Sequence, residues 1–145
     1  MGRSASSNIA TNASFEKNRG GLPWPVDRGY VLLHYGNNKL PNGTIINISC
    51  TSVGADIGTP VKAIFDGVVV SVKNIDDLQI VIVQHGKYFS TYSNIGNVTL
   101  QKDQTVKTGQ VLGKVLSNDD GIGAFDIYIS TETNELNPES WLRPR

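Results

Sequence analysis

Apolar residues in this chain fall in short runs that alternate with turn-forming residues from Gly20 onward. The predicted strands cover residues 30–35, 44–51, 61–72, 78–84, 88–92, 98–100, 111–116 and 124–130. Asp66-Gly67 divides the third run with a strong turn signal. Gly or Pro interrupts the chain too often for a long amphipathic helix. The pattern therefore predicts an all-β sandwich or barrel of many short antiparallel strands.

The β-branched runs also predict the core of this fold. We expect residues 68–70, 80–83 and 111–112 to carry the core from adjacent strands. Cutting a buried isoleucine to alanine typically costs about 2–5 kcal/mol of stability. Ile82→Ala should therefore destabilise the protein far more than Ile9→Ala, which lies in a polar segment.

The first 18 residues differ in character from the rest of the chain. Residues 1–18 are polar, rich in Ser and Asn, and lack the apolar region of a signal peptide. We expect them to be a disordered lead-in or an expression-vector remnant, followed by one domain over residues 19–145. A chain of 145 residues is long enough to form a single well-buried domain.

Charge and composition exclude several classes of function. The chain has 13 basic and 13 acidic residues, so it lacks the basic surface expected of a nucleic-acid-binding protein. No apolar run approaches the roughly 18 residues of a membrane span. The single cysteine, Cys50, cannot form an internal disulfide, and we expect it to be a small buried side chain.

The residues that usually bind zinc are scarce. A catalytic zinc takes three protein ligands from His, Cys and acidic residues and leaves one position open. The chain has two histidines, His34 and His85, with no HxH or HxxxD spacing. We therefore expect no zinc and no other cofactor. The 102–115 segment also resembles lipoyl and biotinyl carrier domains, but Lys107 and Lys114 lack the flanking pattern of a modified lysine.

Several motifs, in order along the chain, resemble one family. They are GLPWPV at 21–26, GTPVKAIFDG at 58–67, QHGKYFSTYSN at 84–94, VKTGQVLG at 106–113 and LNPESWL at 136–142. The chain resembles a LytM domain, the M23 zinc endopeptidase fold that cuts peptidoglycan cross-bridges, and is especially similar to the EnvC-like murein hydrolase activator branch. The resemblance covers about residues 15–142 and implies an antiparallel β-sandwich.

The resemblance also implies which positions would have held the metal. Active members place His and Asp, four residues apart, before the GTPV strand, and Gly43 and Asn47 are matched to them. Asn94 takes the place of a histidine in a Tyr-Ala-His-Leu turn. The last motif, His-x-His-Phe, is matched to Ile122-Gly123-Ala124-Phe125. His85 matches a histidine that is not a ligand. Gly, Ile and Ala offer no donor, and an Asn carbonyl is a poor zinc ligand.

These substitutions predict a pseudoenzyme that works by binding, since zinc is what lowers the pKa of the attacking water. The predicted partner-binding groove consists of Gly43, Asn47, Asn94, Ile122 and Ala124, with Tyr92 nearby. The activator branch implies a cell-wall amidase as partner and a location in the periplasm or cell envelope of a bacterium. Two alternatives stay open. One is a peptidoglycan-binding module, and the other is a zinc metalloendopeptidase with atypical ligands.

Overall fold

The computed structural model describes the backbone of residues 5–144 and the side chains of residues 11–144. In chain order the elements are α1 (Ala5–Lys17), β1 (Tyr30–Leu33), β2 (Gly36–Lys39), β3 (Ile45–Ile48), β4 (Thr51–Gly54), β5 (Pro60–Lys62), β6 (Gly67–Ile75), β7 (Leu78–His85), β8 (Tyr88–Gly96), β9 (Thr105–Val106), β10 (Val111–Ser117), β11 (Gly123–Ser130), β12 (Glu135–Leu136) and α2 (Pro138–Trp141). The predicted all-β antiparallel class is confirmed. The predicted run 44–51 is split into β3 and β4, and residues 98–100 form no strand.

The strands form one large antiparallel sheet and one small one. The large sheet follows the order β1-β4-β11-β10-β8-β7-β6-β9, with β12 paired to β11 and β5 paired to β10. β11 also pairs directly with β8 over five residues, from Asp126↔Ser93 to Ser130↔Phe89. β2 and β3 pair only with each other in the described part of the chain. The side chains of β11 and β8 therefore stand in matched rows across the centre of the large sheet.

Strand β7 shows which face of the sheet is the core. Val81, Val83 and His85 are fully buried, whereas Ile80 and Ile82 alternate onto the opposite face and are half-buried. The expected core run 80–83 is therefore correct only for its valines, and Val81 rather than Ile82 is the position whose truncation tests the core. Of the other expected core residues, Val69 and Leu112 are buried, but Val111 is 49% exposed.

The buried His85 lies in a hydrogen-bond network. Its Nδ1 donates to the Asp66 carbonyl at 2.7 Å, which leaves Nε2 to accept from Ser90 Oγ at 2.8 Å. Ser90 Oγ lies 2.9 Å from the Tyr92 hydroxyl, which accepts from the Ile64 backbone N–H at 3.0 Å. Burial lowers the pKa of His85 to about 4, against the opposing effect of the Asp66 hydrogen bond. His85 therefore has the structural role that the sequence predicts.

Helix α1 corrects the prediction of a disordered lead-in. Residues 1–4 lie outside the described residues, but Ala5–Lys17 is helical. Phe15 is fully buried and stacks on His85 with ring centroids 4.8 Å apart. Asn12 Oδ1 accepts from the backbone N–H of Lys87 at 3.0 Å. Gly86 has a φ of 74° in that turn, and a Cβ there would lie 2.4 Å from Asn12, so only glycine suits both the turn and the helix contact.

The C-terminal segment closes the same side of the molecule. Trp141 and Leu142 are buried, and Leu142 forms an isolated bridge with Leu22. Trp24 packs against the core and donates its Nε1–H to the Arg143 carbonyl at 2.6 Å. The first residues after α1 and the last described residues therefore hold each other in place. No helix in the described residues is long and apolar enough to span a membrane.

Candidate functional site

The face of the sheet opposite the core carries two rows of side chains. The register places Ser52 of β4, Asp126 of β11, Ser93 of β8 and Ile80 of β7 in one row. The next row along the strands holds Tyr128, Thr91 and Ile82. Side chains of paired residues lie on the same face of a sheet, so each row forms a continuous strip. We call these two rows the trough.

A cavity of about 180 Å³ lies at the first row of the trough. Its lining residues come from β4, β7, β8, β10, β11 and the β10–β11 connection: Ser52, Leu78, Asn94, Ser117, Asn118, Asp119, Ala124, Phe125 and Asp126. A second cavity of about 240 Å³ lies at the second row and is lined by Ile80, Thr91, Ser93, Tyr128, Ser130 and Glu135. Because Ser93 of the second cavity pairs with Asp126 of the first, the two cavities adjoin.

Asp126 is the half-buried carboxylate of the first cavity. It accepts a hydrogen bond from Asn94 Nδ2 at 3.1 Å, and a further hydrogen bond from Ser52. Burial raises the pKa of Asp126, while the Ser52 hydrogen bond acts in the opposite direction. Both partners are neutral, so within the described residues no ion pair compensates this carboxylate.

Backbone conformation fixes the position of Asn94. Its φ is 65°, in the left-handed region that asparagine tolerates better than most residues. The same residue marks a register shift, since Ile80 pairs with Ser93 while its neighbour Gln79 pairs with Ile95. This irregularity in β8 allows the Asn94 amide to reach Asp126 across the cavity.

The second cavity is lined by a tyrosine that contacts an unreactive cysteine. The Tyr128 side chain forms a hydrogen bond with Cys50, which precedes β4. Burial raises the pKa of the Cys50 thiol to about 11, and the nearby Asp126 adds to this effect. A thiol with a raised pKa carries little of the thiolate that makes a cysteine nucleophilic. Cys50 is therefore a buried structural residue, as the sequence predicts.

The donors in the trough suit binding better than metal chemistry. Between residues 11 and 144, no three His, Cys, Asp or Glu side chains come together in a group that could hold a metal ion. Asp126 and Asp119 supply carboxylates at the first cavity, whereas Ser52 and Asn94 supply neutral oxygen and Ala124 supplies no donor. His34 is exposed and binds Glu139 through Nδ1 at 2.8 Å, and His85 is in the core.

The structure brings together two of the six residues predicted to form the groove. Asn94 and Ala124 both line the first cavity. Tyr92 is instead fully buried, with its hydroxyl bonded to Ile64 N, because its side chain alternates onto the core face of β8. Ile122 is 40% exposed and precedes β11.

The other two predicted groove residues lie on the separate β2–β3 hairpin. Gly43 is at its turn, with a φ of 88° and no other residue within 4 Å of where a Cβ would be. Asn47 lies on β3 and donates to Asn37 Oδ1 of β2 at 2.7 Å. Neither residue is among those that line the two cavities.

Asp126 and Ser52, which face each other at the first cavity, were not among the residues predicted from the sequence. Asp126 lies two residues after Ala124 on the cavity face of β11, because alternate residues of a strand point to the same face. Ser52 lies opposite Asp126 and follows Ile48 by four residues, which is the spacing of the His and Asp pair. Strand alternation was the signal that could have identified Asp126 from the sequence.

The first cavity lies within a region that matches a known protein family. A family model described as Peptidase family M23 matches residues 47–138, which leaves Gly43 outside the match. The murein hydrolase activator EnvC of Escherichia coli strain K12 is 34% identical over 131 residues, covering 86% of this chain and 29% of EnvC. The chain spans between 22% and 29% of the length of the curated relatives that it matches.

Solved structures show the same fold. A zinc-containing peptidase of Vibrio cholerae superposes with a TM-score of 0.71 at 19% identity, covering 87% of this chain and 41% of the peptidase. A chain of the SpoIIQ–SpoIIIAH pore-forming complex superposes with a TM-score of 0.72 at 18% identity, covering 86% of this chain and 92% of that chain. Since the family model matches more than half of its residues, the chain belongs to peptidase family M23.

Proposed function

We propose that this chain is a catalytically inactive M23 domain that binds a cell-wall amidase and activates it. One observation carries the proposal: the first cavity, which contains the matched positions Asn94 and Ala124, is lined by no histidine or cysteine. A water molecule needs a metal such as zinc, with three protein ligands, to become a nucleophile at neutral pH. Two carboxylates among neutral side chains, without a histidine, are a poor set of ligands for that metal, but such a cavity can bind a protein partner.

The relatives support a regulatory function in the cell wall. The EnvC relative is a murein hydrolase activator by name, and it shares 34% identity with this chain. We therefore place this chain in the bacterial cell envelope, on the periplasmic side. An activator acts only through its preference for the active state of the enzyme. Shifting an enzyme from 1:99 to 99:1 in favour of that state requires about 5.5 kcal/mol of differential binding.

The trough has the shape for such a contact. From Ala124 to Ser130, β11 runs about 20 Å at roughly 3.4 Å per residue. A helix of about 13 residues has the same length at 1.5 Å per residue. Two adjoining cavities along this length give a helix or an extended segment places for its side chains.

An activation assay tests the proposal. Purified cell-wall amidases are incubated with dye-labelled sacculi, with and without the chain, and dye release is measured. We expect the parent chain to raise release and Ala124→Trp to abolish the effect, because a bulky group at a hot spot costs 2 kcal/mol or more, about thirtyfold in affinity. Val111→Trp is the control, since Val111 is half exposed and lies outside the lining of both cavities. Circular dichroism establishes that each variant is folded.

The other outcomes of the assay distinguish the alternatives. If Ala124→Trp does not fold, Thr91→Trp supplies the same test from a half-buried position on the trough. A parent chain that activates no amidase but sediments with sacculi would indicate a peptidoglycan-binding module. Release of dye by the chain alone, abolished by chelators, would indicate a peptidase with atypical ligands. A folded Ala124→Trp protein that activates as well as the parent would show that the trough is not the contact surface.

A further inference from the structure

The trough has an unbalanced charge. Asp119 and Asp126 line the first cavity, Glu135 lines the second, and neither cavity is lined by Lys or Arg. The ion pairs of the described residues lie elsewhere: His34–Glu139, Lys62–Asp27 and Lys87–Glu16. Lys73 of β6 pairs with Ile80 and extends the first row beyond β7, so the trough has one cation at its far end against these three carboxylates and is negative at the two cavities.

Asp126 is the centre of this potential. Its carboxylate is half-buried between β4 and β8, and only the neutral groups of Asn94 and Ser52 bind it. Removing a carboxylate from water costs free energy that neutral hydrogen bonds offset only in part. Any partner that covers the cavity would remove more water from Asp126, and would therefore bind well only if it supplied a positive charge.

The surroundings of Asp126 are partly apolar. Ile80, Ile82 and Tyr128 are half-buried on the trough and keep apolar surface in contact with solvent. A partner segment that matches both features has apolar side chains on one face and a cation among them. A purely apolar segment would leave Asp126 without a positive charge, and a purely basic segment would leave the apolar surface of the trough uncovered.

We propose that the trough binds a cationic amphipathic segment of a protein partner, with a Lys or Arg side chain of that segment paired to Asp126. The source of the segment rests on the proposed function, which makes it part of the amidase. Electrostatic complementarity of this kind selects the correct partner and speeds its association. The charge pattern of the trough is thus the feature that determines which amidase this chain recognises.

The test separates the segment from its source. Three fluorescein-labelled 13-residue peptides share one leucine pattern and carry Lys, Gln or Glu at the remaining positions. Their binding to the chain is measured by fluorescence anisotropy at two salt concentrations. We expect the Lys peptide to bind most tightly and Asp126→Asn to weaken it by about tenfold or more, as for close charge pairs at interfaces. Glu132→Gln, which removes an exposed acid outside both cavities, should leave the affinity unchanged.

The outcomes are distinct. If the Lys peptide fails to bind, or binds the parent and a folded Asp126→Asn protein equally, the proposal is overturned. The same two variants are then compared in the amidase assay. Activation that is lost in Asp126→Asn and kept in Glu132→Gln supports the amidase as the source of the segment. A parent chain that prefers the Lys peptide but activates no amidase refutes the proposed function while the cationic specificity of the trough stands.

Discussion

The contact between α1 and the core can be tested at a single side chain. Phe15 is fully buried, and its ring centroid lies 4.8 Å from that of His85, 5.0 Å from that of Trp141 and 5.1 Å from that of Tyr88. Truncating a buried phenylalanine to alanine costs about 3–5 kcal/mol through lost burial and the cavity left behind. We expect Phe15→Ala to destabilise the protein by this amount.

The melting temperature converts this free energy into a measurement. For a domain of this size, 1 kcal/mol shifts Tm by about 3 °C, so Phe15→Ala should lower Tm by roughly 10–15 °C. Thermal unfolding followed by circular dichroism gives the shift. Tryptophan emission reports in parallel whether Trp141 has lost its stacked neighbour. Ser14→Ala is the control, because Ser14 is exposed on the same helix turn and should change Tm by less than about 2 °C.

Equal melting temperatures for Phe15→Ala and Ser14→Ala would refute this prediction. A Tm for Phe15→Ala within 2 °C of the parent would mean that α1 does not contribute to the folded domain, and that residues 11–18 are the disordered lead-in expected from their composition. A large shift in Phe15→Ala alone would establish α1 as part of the domain.

Three further predictions address pH and metal binding. Because the pKa of folded His85 is lowered from 6.5 to about 4, the unfolded state binds more protons between these values, and stability should fall as pH falls through this window. By linkage, the free energy of unfolding should be about 2 kcal/mol lower at pH 5 than at pH 8. Urea unfolding at both pH values should show this difference for His34→Gln, which keeps His85, but not for His85→Gln. The parent chain, free of any affinity tag, should bind zinc no more tightly than about micromolar by isothermal titration, and a tighter one-to-one site would refute the pseudoenzyme hypothesis. Ile48→His, Ser52→Asp and Ala124→His combined should create a zinc site tighter than that limit, and its absence would count against matching these three positions to the family's ligands.

The periodicity of apolar residues predicted most of the strands but did not predict helix α1. Alternating β-branched runs with glycine and aspartate turns predicted most strands of the large sheet, because burial of one face requires that pattern. Helix α1 has no comparable pattern in its sequence. A helix of this length is marginal alone, and its contacts with the core, chiefly through Phe15, stabilise it. A single buried ring leaves no periodic signal, so composition favoured disorder.

Local sequence patterns also did not determine which residues line the site. The segment before the GTPV strand contains no histidine that could mark the His and Asp motif. Gly43 and Asn47 were therefore matched to that motif from spacing alone. Pairing across strands removes the ambiguity, because Ser52 can only face the residue opposite it in β11, which is Asp126. The residues that line the cavity in the structure also differ chemically from those expected from the sequence. The expected groove residues Gly43 and Asn47 are neutral, whereas Asp126 introduces a half-buried negative charge at the first cavity. Under the proposed function, the carboxylate of Asp126 sets an electrostatic requirement on the partner, and that requirement follows from strand register rather than from any motif.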